Sequence, residues 1–244
     1  MEILETKNLT KRFDGVHAVD HLSIGIKRGE ITGIIGPNGS GKTTLINLLS
    51  GLLPIDSGEV VIDEVQKLTR ILPHHISFYG ITRTFQNVRL FEQMTVLDNI
   101  VVVVTERNVV SSLLQKHTEY HRKIAEEVLQ KVGLWEKRNQ LAVNLSYGQR
   151  KLLEIARTLA MKADIYLFDE PFAGLFPEIR KIVSGIMREV RQENKTIILI
   201  EHDMGLIREL CDYIFVMDEG SVLAKGKPEE VLAKREVIES YLGE

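Results

Sequence analysis

The 244 residues include 31 Lys and Arg against 34 Asp and Glu, giving a formal net charge of -3, and 44% are hydrophobic. A chain of this length and apolar content can bury a sizeable core as one large domain or two small ones. The lack of a basic excess argues against a nucleic-acid partner. The single cysteine, Cys211, excludes an internal disulfide and suits a reducing compartment.

The sequence shows no pattern typical of a targeting or membrane-spanning segment. Met1 to Thr10 is polar and mixed, which predicts no signal peptide. The apolar stretch Ile100 to Val104 is far shorter than the ~18 residues of a membrane helix. We therefore expect a soluble chain that reaches a membrane only through a partner.

Short apolar runs between turn residues predict buried strands, and amphipathic segments between them predict helices. The predicted strands are Glu30–Gly36, Asp164–Asp169, Thr196–Ile200 and Tyr213–Met217. Helices are predicted over Thr43–Ser50 and from Pro177 to about Asn194, where proline suits the first turn. Strands that alternate with helices predict an α/β fold with a mainly parallel sheet.

The middle of the chain has a different composition. The stretch from Asn87 to Met161 is helix-rich and charged, so we interpret it as a helical subdomain inserted into the α/β core. This predicts one domain over residues 1–244. Its core comprises residues 1–86 and 162–244, and its helical subdomain comprises residues 87–161.

The segment Gly36-Pro-Asn-Gly-Ser-Gly-Lys42-Thr43 matches the phosphate-loop pattern G-x-x-x-x-G-K-[ST]. It lies between a predicted strand and a predicted helix, as phosphate binding requires, whereas an ordinary glycine-rich turn needs no such context. Lys42 would reach the β- and γ-phosphates, and the Thr43 hydroxyl would bind Mg²⁺. The predicted ATP-binding residues here are Gly36, Pro37, Asn38, Gly39, Ser40, Gly41, Lys42, Thr43 and Thr44.

Polar side chains follow two other predicted strands, whose carboxyl ends meet at one edge of a parallel sheet. Asp169 is predicted to hold Mg²⁺ through water, and Glu170 to polarise an attacking water; the alternative is a pair of solvated loop acids. His202 would reach the same edge and donate to the γ-phosphate. Gln86, where the core gives way to the insert, is predicted to contact the metal or the water.

A second phosphate-facing motif, Leu145-Ser-Tyr-Gly-Gln149, directly precedes an amphipathic helix. Together with the phosphate loop, Asp169-Glu170 and His202, it resembles the ATP-binding-cassette (ABC) family from about Leu4 to Glu244. The resemblance implies a RecA-like P-loop NTPase core with an antiparallel N-terminal β region. It also implies ATP and Mg²⁺ as ligands and a head-to-tail dimer with a second cassette, identical or related.

The resemblance implies further roles for individual residues. Ser146, Gly148 and Gln149 would bind the γ-phosphate held by the opposing copy, and Ser146 also fits the N-cap of a helix. Phe13 is similar to the aromatic residue that stacks on adenine; the alternative is an ordinary core phenylalanine. Gln86 matches the glutamine loop, which couples the nucleotide site to a membrane partner.

Two positions depart from the family pattern. Tyr147 stands where many members have glycine, a position that is not expected to contact the γ-phosphate. Phe176 stands where aspartate or asparagine is usual in the stretch Ala173 to Pro177. The usual polar residue links the two protomers, so Phe176 predicts weaker coupling between the two ATP sites.

Five segments are very similar to ATPase subunits of branched-chain amino acid importers, the LivG-type group, in which Tyr147 is typical: Gly80–Phe91, Met94–Ile100, Leu145–Gln149, Ile200–Met204 and Tyr241–Glu244. This implies a cytoplasmic subunit, peripheral on the inner face of the cell membrane, that powers amino-acid import. Its partners would be integral-membrane permease subunits and, indirectly, an extracytoplasmic solute-binding protein, with no nucleic acid. The ATPase motor of a lipid or lipopolysaccharide exporter and a non-transport soluble ABC ATPase remain alternatives.

Overall fold

The structure, a computed structural model, describes residues 1–86, 88–104 and 116–242 of the chain. The strands are β1 (Glu2–Phe13), β2 (Val16–Leu22), β3 (Gly25–Lys27), β4 (Ile31–Ile35), β5 (Ser57–Ile62), β6 (Gln66–Leu68), β7 (Ile81–Arg83), β8 (Ile165–Asp169), β9 (Thr196–Ile200), β10 (Tyr213–Asp218) and β11 (Ser221–Gly226). The helices are α1 (Lys42–Leu49), α2 (Val96–Val104), α3 (Lys116–Lys131), α4 (Tyr147–Ala160), α5 (Pro177–Gln192), α6 (Met204–Leu210), α7 (Pro228–Val231) and α8 (Arg235–Leu242). Short 3₁₀ helices cover Pro73–Tyr79, Trp135–Lys137 and Ala142–Asn144.

A six-stranded sheet in the order β11-β10-β4-β9-β8-β7 holds the predicted strands. Its pairs are parallel except for β11, which runs antiparallel to β10 at one edge. Every residue of β4, β8 and β9 is buried, as continuous apolar runs in a parallel sheet predict. The predicted α/β class and mainly parallel sheet are confirmed.

The antiparallel N-terminal β region is also confirmed. β2, β1, β5 and β6 are neighbours in a second sheet, and β3 pairs with β1. One apolar cluster takes Leu4 and Leu9 from β1, Leu45 from α1 and Ile198 from β9. Cys211 is buried, and burial raises the pKa of its thiol to about 12, so it behaves as an inert apolar filler.

The chain divides into two compact units. Unit 1 comprises Met1–Arg83, Asp164–Glu170 and Met187–Glu244, and unit 2 comprises Thr84–Ala163 and Pro171–Ile186. The predicted helical subdomain of residues 87–161 starts at Asn87, outside the described residues, and falls within unit 2. In unit 2, α2, α3 and α4 pack against one another. Among the described residues, no helix has the length and apolar content needed to span a bilayer.

Candidate active site

The phosphate-loop pattern forms the connection between β4 and α1. Gly41 is the N-cap of α1 and has a left-handed backbone, with φ 101°. A side chain at Gly36 would collide with the carbonyl oxygen of Met217, and one at Gly41 with that of Ala18. Glycine is therefore required at both positions. The loop leads into the N-terminus of α1, which favours a bound anion.

Lys42 places a positive charge inside this loop. The residue is 6% exposed, and its Nζ donates to the carbonyl oxygens of Gly36 and Pro37 at 2.7 Å each. A longer bond of 3.3 Å reaches Ser40 Oγ. Thr43, the next residue, is exposed, so its hydroxyl is accessible beside the lysine.

The polar residues that follow β8 and β9 meet at the same edge of the sheet, because these strands are parallel neighbours. Asp169 is the last residue of β8 and is 2% exposed. Glu170 has a left-handed backbone (φ 48°), and its N–H donates to the carbonyl of Ile200 at 3.0 Å. Its Oε1 lies 3.2 Å from His202 Nε2. Two predicted catalytic side chains are thus in hydrogen-bond contact.

Among the other predicted residues of unit 1, Pro37 and Ser40 are buried, whereas Phe13, Asn38 and Gly39 are exposed. Phe13 ends β1 and is 43% exposed, with the Lys11 ammonium 5.4 Å from its ring centroid. An exposed ring suits stacking better than it suits a core position. Asn38 and Gly39 are exposed in the phosphate loop, and Thr44 is half-buried in α1.

Gln86, Ser146, Gly148 and Gln149 lie in unit 2. Ser146 is the N-cap of α4: its Oγ accepts from the Gln149 N–H at 3.4 Å, and Gln149 Oε1 accepts from the Ser146 N–H at 3.1 Å. This reciprocal pair is a capping box. The capped-helix interpretation of this motif is confirmed, and its contact with a phosphate stays a prediction.

Tyr147 connects the start of α4 to the segment before α5. Its hydroxyl donates to the carbonyl of Ala173 at 3.4 Å. Its Cε1 lies 3.2 Å from where a Cβ on Gly174 would be, and Gly174 has φ 69°. Glycine at 174 therefore lets the tyrosine ring approach this backbone, which explains how a tyrosine is accommodated at position 147.

Sequence reasoning missed Arg83, which ends β7. Its largely buried guanidinium pairs with Asp169 Oδ2 at 3.3 Å. It also donates to Asn47 Oδ1 at 2.9 Å and to Ser50 Oγ at 2.7 Å. Arg83 thus ties the predicted metal-binding carboxylate to α1, the helix that follows the phosphate loop. The sequence offers little signal for this role, because Arg83 ends a strand of three residues in which only Ile81 is apolar.

We expect Arg83→Met to lower the free energy of unfolding by about 3–5 kcal/mol, because it removes the cation paired with a buried carboxylate. Arg83→Lys keeps the charge but loses the planar guanidinium that reaches Asn47 and Asp169 together, so its free energy of unfolding should be intermediate. Urea denaturation measures the difference, and Arg70→Met at an exposed arginine is the matched control. An Arg83→Met variant as stable as the unchanged protein would contradict this prediction.

The residues of this edge suit a magnesium–nucleotide complex. Mg²⁺ prefers hard oxygen ligands, such as the Thr43 hydroxyl and the Asp169 carboxylate. The Lys42 ammonium and the N-terminus of α1 favour phosphate oxygens. Glycine at positions 36 and 41 lets the loop backbone lie against the carbonyl oxygens of Met217 and Ala18 and lead directly into α1. ATP and Mg²⁺ therefore fit the residues present.

A sequence profile described as "ABC transporter" matches residues 19–173, more than half of the chain. The chain belongs to the ABC transporter family. It is 39% identical over 252 residues to the high-affinity branched-chain amino acid transport ATP-binding protein LivG of Salmonella typhimurium, covering 99% of this chain and 98% of the relative. It is 38% identical over 251 residues to the probable branched-chain amino acid transport ATP-binding protein LivG of Archaeoglobus fulgidus, covering 100% and 96%.

Solved structures of ABC cassettes have the same fold. A nucleotide-free ATP-binding cassette from an ABC transporter superposes with a TM-score of 0.85 at 33% identity. The ADP conformation of an ATP-binding cassette of an ABC transporter gives a TM-score of 0.87 at 34% identity, and both comparisons cover 100% of each chain. The predicted ABC ATPase fold is confirmed, and the chain is a nucleotide-binding ATPase. The predicted resemblance to the branched-chain importer group is confirmed by the relatives that match.

Proposed function

We propose that this chain is the ATP-hydrolysing subunit of an importer of branched-chain amino acids. The observation that carries the proposal is 38–39% identity over almost the whole length of relatives described as branched-chain amino acid transport ATP-binding proteins. The chain works on the inner face of the cell membrane with integral-membrane permease subunits and a second cassette. An extracytoplasmic solute-binding protein delivers the amino acid to the permease.

The geometry of unit 1 supports a division of roles in binding. Lys42 and the backbone of residues 36–41 bind the phosphates of ATP, and Phe13 stacks on the adenine. Thr43 and, through water, Asp169 would hold Mg²⁺, which would supply positive charge beside the phosphates. Arg83 holds the Asp169 carboxylate in place through their 3.3 Å ion pair.

Glu170 and His202 perform the hydrolytic step. Glu170 orients the attacking water and accepts its proton, a role worth about 10²–10⁴ in rate. His202, whose Nε2 is 3.2 Å from Glu170 Oε1, donates to the γ-phosphate as charge develops on it. Gln86 lies in unit 2, and its contact with metal or water remains a prediction.

Ser146, Gly148 and Gln149 complete the ATP site of the opposing cassette in a head-to-tail dimer. The capping box holds the first turn of α4 in a defined conformation, which suits a helix N-terminus that must bind a phosphate. ATP binding closes two cassettes around two nucleotides, and hydrolysis reopens them. The permease subunits change conformation as the two cassettes close and reopen.

Affinity co-purification from native membranes in mild detergent, with every partner identified, tests the proposal. We expect two polytopic subunits together with a second cassette or an amino-acid-binding protein. Cells lacking this chain should lose uptake of labelled leucine, isoleucine and valine, and should regain it with the unchanged chain but not with Glu170→Gln. If lipid-export subunits co-purify and amino-acid uptake is unchanged, the chain is the motor of an exporter and not of an amino-acid importer. No membrane partner would favour a non-transport ABC ATPase.

We expect Phe176→Asp to raise the Hill coefficient of ATP hydrolysis, because it restores a polar residue between the two protomers. Phe176 is 76% exposed, and its carbonyl accepts the first helical bond of α5, from the Arg180 N–H at 3.0 Å. Aspartate also suits this N-cap position, so stability should not fall. The ATP dependence of turnover measures the effect. Phe78→Asp, at an equally exposed phenylalanine, is the control, and an unchanged Hill coefficient would contradict the role of position 176.

A further inference from the structure

One face of α4 carries charged side chains that are buried. Lys151 is 0% exposed, and Glu154, three residues on, is also buried. Their charged groups are 3.2 Å apart. Removing an ammonium and a carboxylate from water costs several kcal/mol for each ion, and an apolar pair of similar size is often as stable or more so. Such a pair therefore suggests a purpose other than stability.

The partners of Lys151 and Glu154 indicate that purpose. The Lys151 ammonium donates to the carbonyl of Phe85 at 3.1 Å and to the carbonyl of Gln86 at 3.4 Å, and it forms an ion pair with Glu154. Glu154 Oε1 accepts from the Phe85 N–H at 3.2 Å. Both backbone polar groups of Phe85 are thus bound by side chains one turn apart on α4. We call Lys151 and Glu154 the α4 clamp.

Arg157 extends this face of α4 by one more turn. It donates to the carbonyl of Arg89, and its guanidinium lies 5.1 Å from the ring centroid of Phe91. The guanidinium of Arg89 in turn stacks on Phe85 at 4.1 Å. These contacts, together with those of the α4 clamp, attach the described residues between 85 and 91 to α4 at several points.

The α4 clamp also affects the titration of its own carboxyl group. Burial raises the pKa of the Glu154 carboxyl, while the nearby Lys151 favours its charged form.

We propose that the α4 clamp is a positioning device that fixes the backbone of Phe85 and Gln86 to the helix whose first turn carries Ser146 and Gly148. Gln86 and the signature residues then keep one relative position within unit 2 and move together. A shift of Gln86 is transmitted directly to the helix end that faces the nucleotide of the opposing copy. This inference rests on the roles proposed for Gln86 and for the signature residues.

The double substitution K151M/E154L tests the clamp, because it replaces the ion pair by apolar side chains of similar length. The backbone groups of Phe85 and Gln86 that lose their partners are only partly buried, so water can bind them and stability should be preserved. We expect an unchanged unfolding midpoint, unchanged ATP affinity and a kcat about 10–100-fold lower, as for other supporting residues around a site. Hydrogen exchange should increase in residues 84–91, where the Phe85 N–H loses its acceptor. Lys151→Arg, which keeps donors for both carbonyls, should retain more of the kcat. Lys123→Met, at an exposed lysine of α3, is the matched control.

Three outcomes would overturn the inference, and they are distinguishable. Unchanged kcat and exchange in the double variant would show that the clamp positions nothing. A fall in the unfolding midpoint with faster exchange throughout the chain would show a purely stabilising pair. If the Gln86→Ala variant has the same kcat as the unchanged protein, the role proposed for Gln86 is wrong, whatever hydrogen exchange the double variant shows in residues 84–91.

Discussion

Glu170→Gln is expected to lower ATP turnover by about 10²–10⁴ while ATP affinity stays unchanged. Glutamine has the same shape and can keep the 3.2 Å contact with His202, but its amide cannot accept a proton from water. The backbone of Glu170, held by the bond to Ile200 and by its left-handed φ, is unaffected by the change. Steady-state phosphate release with excess Mg-ATP measures turnover, and equilibrium titration measures affinity.

Glu64→Gln is the matched control for this variant. Glu64 has a similar left-handed backbone (φ 59°) and an exposed side chain in the turn between β5 and β6, which contains none of the proposed site residues. The control removes the same charge from the same conformation and should hydrolyse ATP normally. Hydrolysis by Glu170→Gln at a rate near that of the control would refute the assignment of Glu170.

Lys42→Ala is expected to weaken ATP binding by about 10–100-fold, the equivalent of losing a charge-assisted hydrogen bond to phosphate. The ammonium is held in the loop by the carbonyls of Gly36 and Pro37, so its charge is already in place when phosphates arrive. Its loss leaves the loop amides and the N-terminus of α1 as the anion-binding groups. Calorimetric titration with ATP and with ADP measures the change.

Lys67→Ala at an exposed lysine of β6 controls for the change in net charge. Circular dichroism establishes that Lys42→Ala is folded, which matters because Lys42 is almost fully buried. A folded Lys42→Ala protein that binds ATP as tightly as the Lys67→Ala control would show that Lys42 is not the phosphate-binding lysine. Lys42→Ala and Glu170→Gln together separate binding from hydrolysis, because each is expected to change only one of them strongly.

The sequence by itself predicted the strands, the phosphate-loop pattern and the residues that we propose to act in hydrolysis. Short continuous apolar runs between turn residues are typical of the buried strands of a parallel sheet, and β4, β8 and β9 have nearly the predicted bounds. A loop between a strand and a helix that has glycines at these spacings before Lys42 is seldom anything other than a phosphate-binding loop. β8 and β9 are parallel neighbours, so Glu170 and His202, which follow these strands, lie at the same edge of the sheet.

Only the tertiary structure decided which charged residues support that site. Arg83 and Asp169 are 86 residues apart in sequence, and Lys151 and Phe85 are 66 apart. In the sequence, Arg83 and Lys151 are ordinary charged residues, and the most common location of such residues is a solvated surface. Their burial depends on which strand or helix packs beside them, and the local sequence pattern does not specify such long-range pairing. The motifs therefore identify the groups that we propose to act on ATP, whereas the fold determines which residues hold those groups in place.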